Sequence, residues 1–503
     1  MYLRQAAGFL AIAYRRRHMP RMQHARAQGG AGLDPAAEAN LGAPVRTLED
    51  GLPKPRRWWA IAAISFGTAL VVIDGAIANV ALPTIARDLG VSNGVVTNVV
   101  TIYQTVLVMV LLPFSSLGDR VGHRRLYQYG QFLFMASSAL CLVADSFFVL
   151  LALRTLQAIG AGMALSVSAA ILRAIYPASQ LGAAMGVNSV IVASSSALAP
   201  TLGGYIVGHA PWQWVFVAAA PLAVISLLMG RALPEPVPRR DQPVEWLSGG
   251  WSAVTMLLLI GGIQLGTHEN LPLGLAAGAV GVVSLVALVR RERKRTAPVV
   301  PVDLLARPVL GLSALAAIAG FISAGSLMLS LPFRLEEVFG FAPQKVGMLL
   351  LPFPLTMLVV APLAGWLSDR IAPTKLGVTG MGIAIVGLLL LAFMPVEAGE
   401  NGIAWRLSLT AVGFGLFFAP NTRLIISQAP RERAAAAGGL VSTSRLLGQA
   451  LAAVVVGMLL AAGLGIGPSP LFIACAFAVV SAGCTLVRFA KRERVVANLG
   501  QTE

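Results

Sequence analysis

The chain has 503 residues, of which 56% are hydrophobic and only 12% charged, where a soluble domain carries about 25% charged residues. Its mean hydropathy is +0.76 and its net charge +16. This composition excludes a soluble globular protein. The basic residues lie in short clusters between apolar runs rather than on one patch, which argues against a nucleic-acid partner.

Residues 1–57 are rich in Arg, Ala, Gly and Pro and read as a disordered, basic cytoplasmic tail. The apolar piece Phe9–Ala13 is too short to span a bilayer, and Arg15–Arg17 follow it. From Trp58 onward, fourteen apolar segments have the length that a helix needs to cross hydrocarbon. Their predicted limits are 58–82, 95–114, 126–144, 147–171, 182–207, 212–233, 248–267, 271–289, 309–331, 346–366, 375–395, 403–427, 436–461 and 469–488. The loops between them alternate in charge. One set, from Arg120 to Arg433, holds seventeen basic residues, and the other holds Arg87, Arg334 and Lys345. The basic set is expected to face the cytoplasm, with both termini on that side. The three cysteines, Cys141, Cys475 and Cys484, fall inside apolar runs without metal-ligand spacing. No disulfide framework or metal site is expected.

The first segment contains Asp74 in "ALVVIDGAIANVALP". A carboxylate inside a span is costly and marks a functional site by default. The second ends in "LGDRVGHRR" at 117–125, and the tenth ends in "LSDR" at 367–370, 250 residues later. Asp119 and Asp369 thus stand beside Arg120 and Arg370 at equivalent borders, with Gly122 permitting a turn and Arg124 at the headgroups. An acid there is read as part of a latch between helix ends, since an anchor alone needs none. The fourth segment places Arg154 at a depth matching Asp74. The two are read as a proton-coupling site, with a plain structural ion pair as the bland alternative. Burial favours the neutral carboxyl and a nearby Arg the ionised one, so a change in their separation would move a proton. In the fifth segment, "SSSALAPTLGG" puts Pro200 before Gly203 and Gly204, a bend with close helix approach. Asn79, Gln104, Gln157, Asn421 and Arg445 are further polar residues in spans and candidates to line a cavity.

"AIGAG" at 158–162 matches "AVGFG" at 411–415. With the two Asp-Arg borders, this makes segments 1–6 and 9–14 repeats of each other, with 7 and 8 inserted. The expected organisation is an all-α polytopic membrane protein. Its parts are a six-helix bundle at 58–233, an inserted pair with linkers at 234–308, a second bundle at 309–490, and a cytoplasmic tail at 491–503. Two such halves with a midplane site are a transporter architecture.

"LVVIDGAIANVALPTI" resembles the first-helix signature of the fourteen-helix drug:proton antiporter family of the major facilitator superfamily (EmrB/QacA type). Asp74, Asn79, Val80, Ala81, Leu82 and Pro83 match it. Ser115–Arg125 resembles the family's loop between helices 2 and 3; Arg154, Gln157 and Gly160 match its helix 4 motif; Pro200, Gly203 and Gly204 match its helix 5 antiporter motif. Ser115, Ala158, Ala199, Gly75, Ala76 and Gln213 depart from those patterns. The resemblance implies the major facilitator fold in a 6+2+6 arrangement. It also implies export of a lipophilic, cationic or amphiphilic compound in exchange for protons, across a bacterial plasma membrane. The proton gradient is then the energy source and no cofactor is expected. The implied partners are the substrate, protons and the bilayer, with the monomer as the functional unit. A dedicated exporter of one natural product is the alternative. A membrane-embedded enzyme is remote, because the five His residues lie in the tail or at loop borders.

Overall fold

The computed structural model describes residues 51–176, 181–235, 246–268, 271–293, 302–368, 370–430 and 434–499. The N-terminal tail to residue 50 and Asp369 lie outside them. Every apolar segment of the sequence coincides with helix. The helices are α1 (Lys54–Asp88) and α2, in two pieces (Asn93–Val96 and Asn98–Val121), then α3 (His123–Leu140), α4 (Phe147–Ile175) and α5 (Leu181–His209). There follow α6, again in two pieces (Trp214–Val217 and Ala220–Met229), α7 (Trp246–His268) and α8 (Leu271–Glu292). The rest are α9 (Pro308–Glu337), α10 (Pro343–Leu350 and Pro352–Leu367), α11 (Pro373–Ala392), α12 (Gly399–Gln428), α13 (Ala434–Ala461) and α14 (Ser469–Leu499). Among the described residues, 11 helices are long and apolar enough to cross a membrane.

Local chemistry sets the ends. Proline occupies the first turn of α1, α9 and α11 and of both pieces of α10, where its missing N–H costs nothing. The Ser92 and Ser146 hydroxyls accept from the Val95 and Val149 amides at the starts of α2 and α4. Gly122, at φ 106°, ends α2 and turns the chain into α3, a backbone conformation that favours glycine. Both expected tails lose residues to helix. Helix α1 begins at Lys54 instead of Trp58, so Arg56 and Arg57 are helical: Arg56 Nε donates to the Ala232 carbonyl at 2.9 Å. The last helix runs through the residues expected to be tail, to Leu499.

The two halves repeat each other in packing as well as in sequence. In the first, α1 packs on α5 and α6, α4 on α2 and α3, and α3 on α6. In the second, α9 packs on α13 and α14, α12 on α10 and α11, and α11 on α14. Glycines carry the tightest of these contacts. A Cβ at Gly160 would lie 2.7 Å from the Gly130 carbonyl oxygen, and one at Gly413 would lie 2.6 Å from that of Gly380. Gly162 meets Val110, and Gly415 meets Val360. Positions in α2 and α3 shift by 250 and those in α4 by 253, the same offsets as the two motif pairs.

The halves meet where α5 packs on α10 and α2 on α13, two contacts that exchange under the repeat. Inserted helix α7 lies against α2 and α13, beside that second seam, and α8 packs on α7. Two large apolar clusters follow the halves, and the first reaches across to Leu329 and Phe333 of α9 and to Leu446, Ala453, Val456 and Leu460 of α13.

Candidate functional site

Asp74 and Arg154 meet inside the first half. Arg154 Nη1 donates to Asp74 Oδ1 and Oδ2 at 2.9 and 3.0 Å, and to Gln157 Oε1 at 2.8 Å. Gln157 Nε2 donates onward to Ser138 Oγ at 2.8 Å. The guanidinium carbon stands 4.1 Å from the Tyr103 ring centroid and 4.9 Å from that of Phe216. Asp74 and Gln157 have no exposed surface, and Arg154 has 1%. Five helices, α1 to α4 and α6, thus enclose one acid, one base and a short amide–hydroxyl chain. Charges out of water demand such pairing.

The helix register explains why Asp74 points inward. At 100° per residue, Asp74 shares the packed face of α1 with Leu70 and Ala81, all buried. Thr68, Val72, Ala76 and Asn79 are partly exposed and occupy the opposite face. Beyond Asn79, Val80, Ala81, Leu82 and Pro83 are buried. Helix α13 behaves alike. Ser442, Arg445 and Gln449 form one partly exposed arc, and beyond them Ala452, Ala453 and Val456 are buried. On both helices the partly exposed arc runs from the face that carries Asp119 and Arg370 and stops at the level of Asn79 and Gln449, so the two arcs would line a groove between the halves. Asp74 lies behind one wall of it.

The opposite face is shut. Arg87 pairs with Glu336 at 3.2 Å across the halves, and Asn93 Nδ2 donates to Glu337 Oε1 at 2.6 Å. Gln344 Nε2 donates to the Gly208 carbonyl at 3.0 Å. Backbones touch between α5 and α10: a Cβ at Gly204 would lie 2.8 Å from the Pro343 carbonyl oxygen, and one at Gly347 would lie 2.6 Å from that of Pro200. Gly203 meets the Ile77 carbonyl of α1. Pro200, Gly203 and Gly204 are thereby a three-way seam between α1, α5 and α10, inside one continuous helix.

The remaining candidates divide. Asp119 Oδ1 accepts from His123 Nε2 at 2.9 Å within its own Gly122 turn, so its partner here is local. The acid that pairs across this end of the first half is Glu235, 3.1 Å from Arg125 Nε. Arg120 is exposed, Arg124 half-buried, and Arg370 stacks on Trp366 at 4.1 Å. Gln104 is buried with Oε1 unpartnered among the described residues, and Asn79 Oδ1 is likewise unpartnered. Asn421 belongs to a structural node instead of the groove: it donates to the Ser313 carbonyl and accepts from Arg488 Nη1 at 2.8 Å. Arg334, expected in a loop, is buried in α9 and donates to the Leu391 and Ala392 carbonyls at the end of α11, where a cation suits the helix C-terminus. Sequence reasoning had no signal for Ser138, Arg488 or Arg334, whose partners come from helices distant in the chain.

Comparison with known proteins completes the picture. The family model described as Major Facilitator Superfamily matches residues 64–453. The chain belongs to that superfamily. This facilitator is 41% identical to the uncharacterized transporter YebQ of Escherichia coli (strain K12), over 82% of this chain and 91% of that protein. It is 27% identical to the methyl viologen resistance protein SmvA of Salmonella typhimurium (strain LT2), over 80% and 83% of the two chains. The crystal structure of the peptide transporter POT in complex with sulfate superposes with a TM-score of 0.65 at 16% identity, covering 92% of this chain and 99% of that one. The facilitator is thus a membrane transporter, not an enzyme, and its relatives include drug-resistance proteins.

Proposed function

We propose that this facilitator exports lipophilic small molecules across the bacterial plasma membrane in exchange for inward-moving protons. In this reading all fourteen helices span the bilayer in a 6+2+6 arrangement with both termini cytoplasmic, and the monomer works without a cofactor. The face carrying Asp119 and Arg370 is then cytoplasmic, and the structure corresponds to the state open to the cytoplasm.

The observation that carries the proposal is the sealed Asp74–Arg154 pair behind the groove wall. Substrate entering the groove touches one face of α1, while the titratable acid occupies the other. The two need not meet. A rotation or shift of α1 as the halves rock would change the hydration of Asp74, and the proton would follow. The halves can rock because their seam at α5 and α10 is glycine-lined and shut by few polar contacts.

The test is dye efflux from proteoliposomes carrying an imposed proton gradient. The expected result is export that stops when an uncoupler collapses the gradient. Export that survives full collapse would overturn the coupling.

A further inference from the structure

We propose that the groove binds its substrate through an anionic group, with Arg445 as the residue that receives it, so that the preferred cargo is an amphiphile bearing a carboxylate or a comparable anion. This deepens the export reading above and rests on it for the direction of transport.

The first argument is position. On α13, Ala450 and Val454 pack against Ile260 of α7. Gly448 faces α9, where a Cβ would lie 2.8 Å from the Ile318 carbonyl oxygen, and Ala452 faces Gly325 of the same helix. Leu446 and Ala453 belong to the core of the first half, and Gly457 meets Thr97 of α2. The arc left over points away from α7, into the space between the halves. Arg445 stands on that arc at its α9 edge, with Ser442 and Gln449 beside it on the side away from α9. All three are partly exposed while the residues just beyond them are buried. Arg445 therefore stands near the closed end of the groove, where a substrate would come to rest.

The second argument is charge balance. A cation at this depth normally finds an acid or carbonyls. Arg154 has Asp74, Arg334 has two helix-terminal carbonyls, and Arg488 has Ser313 and Asn421. Arg445 has no hydrogen bond, ion pair or aromatic face among the described residues. The nearest candidate counter-charge is committed: Asp74 is the one acidic residue in the middle of a described helix, and Arg154 already holds it on the far side of α1. The other acids of the described helices stand at helix ends. The groove consequently presents an uncompensated positive charge with Ser442 and Gln449 as neutral polar neighbours. Such a surface repels a cation and favours an anion. A guanidinium at a half-enclosed site recognises a carboxylate through two parallel hydrogen bonds, and partial desolvation strengthens them.

Rhodamine 110 and rhodamine 123 provide the test. They share one ring system and differ in that the first carries a free carboxylate where the second carries its methyl ester. Binding is read by fluorescence polarisation with the purified full chain in lipid nanodiscs, empty discs subtracted and no proton gradient applied. The wild type is expected to bind rhodamine 110 about tenfold or more tightly than rhodamine 123, the discrimination that one charge-assisted pair supplies. In Arg445→Gln the preference should vanish, and in Arg445→Lys part of it should remain. Because an unpaired charge is removed, Arg445→Gln is also expected to melt no lower than wild type without ligand. Equal or tighter binding of the ester by wild type, or an undiminished preference in Arg445→Gln, would overturn the proposal. So would a lowered melting temperature in both variants, which would mark Arg445 as held by the protein. If the carboxylate preference holds but no gradient-driven efflux occurs, the anion site stands and the antiport reading falls.

Discussion

At the scale of single residues, the pair Asp74–Arg154 separates two kinds of role. As structure, it is two charges that cancel in a sealed space, and removing one leaves the other exposed to a low dielectric. Asp74→Asn is therefore expected to destabilise the protein by about 3–5 kcal/mol, visible as a lower melting temperature in detergent. Asn keeps the shape and can accept from Arg154, but it carries no titrating proton, so gradient-driven export should fall to background. The double variant Asp74→Asn with Arg154→Gln removes both charges and should recover most of the lost stability. A proton carrier cannot be restored that way. Export is expected to stay absent in the double variant, and recovered export would reduce the pair to a structural bridge.

At the scale of helices, close backbone approach at repeated glycines does what apolar burial does in water. Between spans the surrounding lipid is as apolar as the side chains, so packing and small residues decide which helices meet. Gly130 with Gly160, and Gly380 with Gly413, bring α3 to α4 and α11 to α12 at the same register. Gly160→Val and Gly413→Val should each cost about 1–3 kcal/mol through overpacking. Equal losses in the two halves, measured by thermal melting, are expected from their equivalent geometry. A loss confined to one half would mean that the second contact can relax. The same scale accounts for the interrupted helices. Pro343 and Pro352 each start a piece of α10, and both pieces touch α5 across the seam, the one between the prolines more extensively.

At the scale of the whole molecule, one face is closed by pairs that join the halves, and the other admits a groove. Arg87 and Glu336 stand on different halves, 3.2 Å apart, so reversing one charge sets two acids against each other there. Arg87→Glu should shift the population toward the state open on that face. Thiol labelling of a cysteine introduced at Asn79, near the closed end of the groove, reads the shift. Added from the Arg87 side, a membrane-impermeant reagent should label this position several-fold faster in the Arg87→Glu background. Unchanged labelling would assign closure to the glycine seam at Gly204 and Gly347 alone. The inserted pair does not bridge this closure: α7 lies beside the α2–α13 seam and α8 on its outer side.

Much was legible without coordinates, because a bilayer punishes unpaired backbone and charge so heavily that apolar length alone marks the helices. All fourteen segments appear as helix, and the two motif echoes, 250 and 253 residues apart, foretold the repeated packing of the halves. An acid and a base at matching depth in segments 1 and 4 were enough to expect Asp74 beside Arg154. What the sequence left open is what depends on the rotation of each helix about its axis. That rotation puts Asp74 behind the groove and Asn79 in front of it. It binds Gln157 and Asn421 into networks inside the halves, buries Arg334 against helix-end carbonyls, and leaves Arg445 without a partner among the described residues. A helix carries the same residues whichever way it turns; only its neighbours, packed to the limit set by their glycines, decide which face meets protein and which meets the substrate.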